Sequence, residues 1–168
     1  MKSLYLPYKE KEMKELYKIG AYLAVLALAA GLWVLFAPVA SERQTASFLD
    51  AVVDQKYDEA ALLYGGLSAD GSAGRWAGEL RRIYEEDGFH LHAYEGLQAE
   101  YDDGCFCHGH VNLIFDVQGE TIPVRAILVF GEEYKPRQVC AIPHPEQKTV
   151  PGLNAWNRLV ACGGFARG

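Results

Sequence analysis

Residues 105–130 read CFCHGHVNLIFDVQGETIPVRAILVF, and this stretch decides the fold. Apolar side chains occupy every second position on both sides of Gln118-Gly119, which is the alternation of strands with one buried face. A two-residue turn at Gln118-Gly119 sets Phe115 opposite Ile122, and the same register puts apolar opposite apolar along most of its length. A slip of one residue would mismatch nearly every pair. The stretch therefore predicts an antiparallel hairpin with one apolar face.

Helical patterns precede this hairpin, and strand patterns lie on both sides of it. Residues 45–67 predict two short helices, and a third helix carries Trp76 and ends at Gly88. Period-two alternation predicts a strand over 89–101, and another strand follows the hairpin over 137–144. Because helices come first and antiparallel strands follow, we expect an α+β domain. About three helices would pack on one face of a curled antiparallel sheet of about four strands.

The N-terminal part of the chain carries a stretch without charge. Residues 19–41 read IGAYLAVLALAAGLWVLFAPVAS, and about 20 apolar residues in a helix reach roughly 30 Å, the thickness of a bilayer core. The alternative is a signal peptide cleaved near Pro38-Val39-Ala40, but both the run and the charged stretch before it are long for one. We therefore predict a permanent transmembrane helix.

Flanking charge predicts the orientation of this helix. Five lysines precede it and only Arg43 follows closely, so the N-terminus should be cytoplasmic. The predicted organisation is a cytoplasmic arm over 1–18, a span over 19–41, a periplasmic α+β domain over 42–148 and a tail over 149–168 with one short helix. The expected location is the inner (cytoplasmic) membrane, crossed once.

The charges of the two parts differ in sign. The first 40 residues carry five Lys and three Glu, net +2, and the remainder carries eleven Lys or Arg and nineteen Asp or Glu, net −8. An acidic outer domain argues against nucleic acid or anionic lipid as its partner.

The four cysteines all lie in the part predicted to be periplasmic, where disulfides persist. The candidates are Cys105, Cys107, Cys140 and Cys162. Cys105 and Cys107 are close along one strand, so we expect each to pair with Cys140 or Cys162 rather than with each other. Four reduced thiols remain the alternative.

The same stretch raises the question of a metal site. In a strand Cys105 and Cys107 face one way while His108 and His110 face the other, so the four side chains cannot close on one ion. If the strands are neighbours, His108 and His110 could join His90 and His92 in a histidine patch for copper or zinc on the outer face. The spacing matches no structural zinc pattern, so no metal or other cofactor is predicted.

Signals for catalysis are few. Glu95 is the one carboxylate on the inward phase of the strands, Tyr101 shares its face, and Tyr57 and Tyr64 could add hydroxyls. A buried glutamate can act as a general base, but a bulge at Gly96 would turn Glu95 toward solvent. No triad order, phosphate-binding glycine loop or metalloprotease motif is present. We predict no catalytic residues and a protein that is not an enzyme.

The stretch SFLDAVVDQKYDEAALLY, residues 47–64, carries a resemblance to a known superfamily. Two helices joined at an Asp-Gln-Lys-Tyr-Asp corner, then a third helix and a curled sheet, resemble the cone-shaped nuclear transport factor two, SnoaL-type and ketosteroid isomerase proteins over about residues 45–145. One span with such a domain outside is similar to the inner-membrane scaffold subunit of type IV secretion systems, and to cytochrome oxidase assembly and Tim21-like proteins. The likeness is one of layout, because no residue is matched.

This layout implies a non-catalytic accessory or scaffold subunit of a larger membrane complex. Its expected partners are the lipid bilayer and other membrane subunits, contacted through the span, the arm and the outer domain, with no nucleic acid. The alternative is a membrane-tethered ligand-binding or isomerase-like domain with a cavity lined by Glu95, Tyr64 and Tyr101. A metal-handling protein is the third hypothesis.

Overall fold

A computed structural model describes residues 8–67, 73–147, 150 and 152–160 of the chain. The elements are, in order, helices α1 (Tyr8–Val53), α2 (Tyr57–Leu63) and α3 (Ala73–Asp87), strands β1 (Phe89–Asp102), β2 (Cys105–Val117), β3 (Glu120–Phe130) and β4 (Pro136–Ile142), and helix α4 (Leu153–Leu159). Short 3-10 turns follow β3 at Glu132–Tyr134 and β4 at Pro145–Gln147. The predicted α+β class, with helices first and four antiparallel strands after them, is confirmed.

Helix α1 is longer than the sequence analysis predicted. It runs without interruption for 46 residues and contains Pro38, so the first of the two short helices expected over 45–67 is the end of α1 and not a separate element. The chain divides into two compact units between Phe36 and Ala37. No break in the helix marks the predicted boundaries at 18/19 and 41/42.

The end of α1 is a Schellman motif, in which two backbone bonds close the last turn. The amide of Lys56 donates to the carbonyl of Ala51 at 2.8 Å, and that of Gln55 donates to Val52 at 3.0 Å. The motif places Gln55 in the left-handed region, at φ 60°. This corner turns the chain from α1 into α2 where the sequence reads Asp-Gln-Lys-Tyr-Asp.

The sheet is a simple meander in the order β1-β2-β3-β4, and every neighbouring pair is antiparallel. The register predicted for the β2–β3 hairpin is confirmed, with Phe115 opposite Ile122 and Val117 opposite Glu120. Its turn has positive φ at both central residues, 56° at Gln118 and 90° at Gly119. Such turns match the right-handed twist of the strands they join, which is why two residues suffice here.

Strand β1 departs from simple alternation. Irregularities between Leu91 and Ala93 and between Glu95 and Gln98 each insert one extra residue against β2. The first shifts the phase, so Tyr94 lies opposite the buried Leu113 and belongs to the inner face. Strict alternation from Phe89 would place Tyr94 on the outer face, and the inserted residue reverses that position.

The core lies between the helices and one face of the sheet. Buried side chains from the C-terminal end of α1, from α2 and α3, and from α4 meet those of all four strands. Trp156 on α4 packs edge-on against Phe115 at 5.3 Å, and its indole N–H donates to the carbonyl of Val139 at 3.2 Å. Trp156 is therefore a core residue. Asn157, one residue further, both donates to and accepts from the backbone of Ala141, which closes part of the free edge of β4.

Candidate functional site

The most unusual surface of the described chain is the apolar stretch of α1. Residues 13–33 are exposed on every side of the helix, with no buried stripe. A surface helix of a water-soluble protein has an apolar stripe and an opposite polar face. A helix that exposes apolar side chains on every side is not typical of one that is surrounded by water. Between Ile19 and Phe36, the large apolar side chains that are more than half exposed are Ile19, Tyr22, Leu23, Val25, Leu26, Leu28, Leu32, Leu35 and Phe36.

This stretch is long enough to cross a bilayer. By length and composition, α1 is the one helix in the described residues that could do so. At 1.5 Å per residue, the 18 positions from Ile19 to Phe36 extend roughly 27 Å. An exposed apolar surface of this size is normally covered by lipid or by other proteins.

The first cysteine pair is joined differently from the prediction. Cys105 and Cys107 form a disulfide with each other, with their Cα atoms 5.3 Å apart. The expectation that they would not pair is wrong, because residues two apart in a strand share a face and this strand is locally short. The same two Cα atoms would be about 6.7 Å apart in a regular strand, and a bridge needs about 4.4–6.8 Å.

The second bridge involves Cys140, which is also disulfide-bonded. Cys162, the only other cysteine in the sequence, lies outside the described residues. The Cys105–Cys107 bridge adds little to the stability of the folded state. On the chain-entropy account a loop of three residues contributes only about 1.6 kcal/mol, near the bottom of the range for protein disulfides.

The four histidines do not form the patch that the sequence analysis considered. The register places His90 opposite Asp116, and it places His110 opposite Gln98. Six residues of β2 therefore separate Asp116 from His110, about 20 Å in an extended strand. Within the described residues no group of three or more His, Cys, Asp or Glu side chains could hold a metal ion.

Each of two histidines has a local contact instead. His110 Nδ1 lies 2.7 Å from Glu100 Oε1 at the hairpin end of the sheet. His90 meets the ring of Tyr84 edge-on at 5.1 Å. These contacts are those of ordinary polar strand residues.

The residues considered for catalysis are not brought together either. Glu95 is exposed and pairs opposite Asn112 on the outer face, because the irregularity between Leu91 and Ala93 has already reversed the phase of the strand. Tyr101 is 61% exposed, whereas Tyr57 and Tyr64 are buried in the core. The cavity expected from Glu95, Tyr64 and Tyr101 is absent from the described structure.

A different cavity does involve Tyr64. It has a volume of about 590 Å³ and lies between the end of α2 and the β3–β4 connection. Its lining comprises Tyr64 to Leu67, Gly131 to Glu133, Lys135 and Arg137. The hydroxyl of Tyr64 is buried and has no hydrogen-bond partner among the described residues.

The electrostatics of this cavity centre on Tyr64. Burial raises the pKa of its hydroxyl, and the nearby guanidinium of Arg137 acts in the opposite direction. A Cβ at Gly66 would come within 2.6 Å of both the Tyr64 hydroxyl and the Arg137 carbonyl oxygen, so glycine permits the close approach of this loop. Arg137 was missed because its partner Tyr64 is distant along the chain.

Comparison of the chain with protein families, with curated proteins and with solved structures finds no match. Its function is therefore argued from its own residues.

Proposed function

We propose that the protein is a membrane-anchored, non-catalytic accessory or scaffold subunit of a larger membrane complex. The observation that carries this proposal is the apolar stretch of α1, whose side chains are exposed on all sides. A lone helix exposes its whole circumference to lipid, and a companion helix can pack there if small residues allow close approach. Gly20, Ala24, Ala27 and Gly31 supply such residues.

The arrangement of the α+β unit supports a fold of the nuclear transport factor two type. Helices cover one face of a four-stranded antiparallel meander, and the corner between α1 and α2 falls at the sequence that suggested the resemblance. Most of the space between helices and sheet is filled by side chains, including Phe48, Trp76 and Trp156. A filled interior favours a docking role over catalysis within the cone.

The second face of the sheet offers a surface for docking. Ile127 on β3 and Ile142 on β4 are 44% and 49% exposed there, beside Arg125, which pairs with Ile142. The arm contributes Lys14 and Lys18, so the flanking charge favours a cytoplasmic N-terminus in the inner membrane and a periplasmic domain.

Anchoring is tested with the full chain and one paired variant. Leu26→Arg with Ala30→Arg places two charges mid-span, each costing about 2.5–3.5 kcal/mol of insertion free energy. We expect the wild-type protein to stay in membranes after alkaline carbonate washing and this variant to be released. Met13→Arg with Leu16→Arg, in the charged arm, is the matched control and should stay bound. Release of the wild-type protein would contradict the anchor.

The accessory role needs a separate measurement. We expect the intact protein, extracted in mild detergent from its native membrane, to appear by native mass spectrometry with companion subunits at fixed stoichiometry. A stable lone monomer would overturn the scaffold role and leave the anchor intact.

The cavity beside Tyr64 favours a second candidate function, the binding of a small carboxylate-bearing ligand. A buried hydroxyl donor next to a guanidinium is a suitable pair for a carboxylate, because both donate to the same oxygens. Ligand-observed NMR with benzoate as the probe would detect binding, and we expect Arg137→Gln to abolish it. Equal signals with wild-type and Arg137→Gln protein would exclude this site.

A further inference from the structure

The Cys105–Cys107 disulfide lies in the β1–β2 hairpin, directly after its turn. The turn is made by Asp103 and Gly104, both with positive φ (45° and 87°), and Asp102 pairs directly with Cys105. Regular pairing resumes at Glu100 opposite His108, and between these two pairs β2 carries one extra residue. The bridge therefore closes a short irregular segment that is bounded by the turn on one side and by the ladder on the other.

The ring that this bridge closes is small. Loop-closure entropy falls with the number of residues enclosed, and a Cys-X-Cys bridge encloses the fewest of any arrangement except adjacent cysteines. The free energy by which a disulfide stabilises the folded state equals the free energy by which folding stabilises the disulfide against reduction. A bridge that adds little stability is therefore reduced easily. Cys140 belongs to a separate bridge, so the chain contains an internal reference for a structural disulfide.

The bridge is accessible from one end of the sheet. Cys105 and Cys107 are both half-buried and not enclosed in the core. Between them Phe106 packs edge-on against Tyr101 at 5.3 Å, and Tyr101 is largely exposed. The bridge is therefore within reach of a thiol on another polypeptide.

We propose that Cys105 and Cys107 are a redox-active pair that exchanges with a dithiol of a partner protein. One partner thiolate attacks a sulfur of the bridge, which forms a mixed disulfide and releases one cysteine of the pair as thiolate. The second partner thiolate then attacks the mixed disulfide and releases the other cysteine. In sum two electrons and two protons pass to Cys105 and Cys107, and the partner gains a disulfide. This goes beyond the scaffold role and does not depend on it.

The first test is a redox titration of the full-length protein in detergent. The protein is equilibrated in mixtures of reduced and oxidised glutathione, free thiols are trapped by alkylation under acid quench, and the cysteine peptides are quantified by mass spectrometry. For each bridge we record the value of [GSH]²/[GSSG] at which it is half reduced. We expect this value for Cys105–Cys107 to be at least tenfold lower than the value for the Cys140 bridge. Tenfold corresponds to about 30 mV for this two-electron couple. A smaller difference, or the reverse order, overturns the proposal.

The second test separates exchange from a structural role. The full-length Cys105→Ser/Cys107→Ser variant should still fold, with a Tm about 5–8 °C below wild type, because a three-residue ring contributes only about 1.6 kcal/mol. With the reduced dithiol peptide Cys-Gly-Gly-Cys as the probe, wild-type protein should form one peptide disulfide per chain and the variant none. Failure of the variant to fold, or equal oxidation of the peptide by both proteins, overturns the proposal.

Discussion

The bulged phase of β1 predicts a specific loss of stability when one hydroxyl is removed. Tyr94 Oη donates to Asp50 Oδ1 at 2.8 Å, which ties the middle of β1 to the last turn of α1. A regular β1 strand would instead turn Tyr94 to the outer face, far from this carboxylate. The Tyr94→Phe substitution therefore tests the bulge itself.

The expected magnitude follows from the environment of the bond. A hydrogen bond to a charged group contributes about 1.5–3 kcal/mol, but Asp50 is exposed, and water replaces the lost donor. We therefore expect Tyr94→Phe to lower the free energy of unfolding by about 1 kcal/mol. For a unit of this size that corresponds to a fall in Tm of about 3–5 °C.

The assay is denaturant unfolding of the full-length protein in detergent, with Tyr101→Phe as the matched control. Tyr101 is on the same strand and largely exposed, so loss of its hydroxyl should leave stability unchanged. A double-mutant cycle with Asp50→Ala, which removes the acceptor, should recover most of the loss as coupling energy. If Tyr94→Phe were as stable as the control, Tyr94 would point outward and the bulge would be refuted.

Four further predictions follow from single features. Burial, the hydrogen bond to Asp50 and the charge of Asp50 raise the pKa of Tyr94 to about 12. The folded state therefore holds a proton that the unfolded chain loses above about pH 10. The free energy of unfolding should fall from pH 10 to pH 12, with a shallower slope in Tyr94→Phe. Gln55→Gly relieves a left-handed residue in the Schellman motif and should raise stability by about 0.5–1 kcal/mol in thermal melts. Gly109→Ala drives a Cβ into the backbone carbonyl of Gln98 and should cost about 1–3 kcal/mol, whereas Gly78→Ala, with open space in α3, should gain up to about 1 kcal/mol. Non-reducing peptide mapping should find Cys105 linked to Cys107 and, because the sequence has four cysteines, Cys140 linked to Cys162.

The β2–β3 hairpin was predictable because its information is local. Gln118-Gly119 specifies the turn, and the alternation on both sides specifies the register, so each signal checks the other. Helix α3 and its end at Gly88 were equally readable, because Gly88 takes φ 60° where the helix stops. In these elements the sequence pattern and the tertiary contacts agree.

Strand β1 and the cysteine pair were not predictable for one shared reason. Both depend on small departures from an ideal strand, two inserted residues in β1 and a local shortening of β2 between Cys105 and Cys107. Period-two counting assumes a regular strand, so one bulge inverts every later assignment until a second restores it. Glu95 lies between the two bulges, which is why its inward assignment failed.

The length of α1 escaped prediction for a different reason. The charged residues after the apolar stretch and Pro38 suggested a boundary near 41/42, yet the helix continues through both. Charged residues indicate where a helix passes from lipid into water, and they do not interrupt its backbone hydrogen bonds. The end of the helix is instead specified by the Schellman motif at Gln55, well beyond the uncharged stretch over 19–41.

The edges of the sheet narrow the ways in which a companion subunit can dock. On β4, the side chain of Asn157 accepts from the amide and donates to the carbonyl of Ala141, and the indole N–H of Trp156 donates to the carbonyl of Val139. On β1, Glu42 accepts from the amide of Ala99 at 3.0 Å, and the bulges interrupt the remaining ladder positions. An added strand needs a row of free donors and acceptors, and within the described residues these bonds occupy part of that row on each edge. We therefore expect companions to bind the apolar stretch of α1 or the open face of the sheet around Ile127.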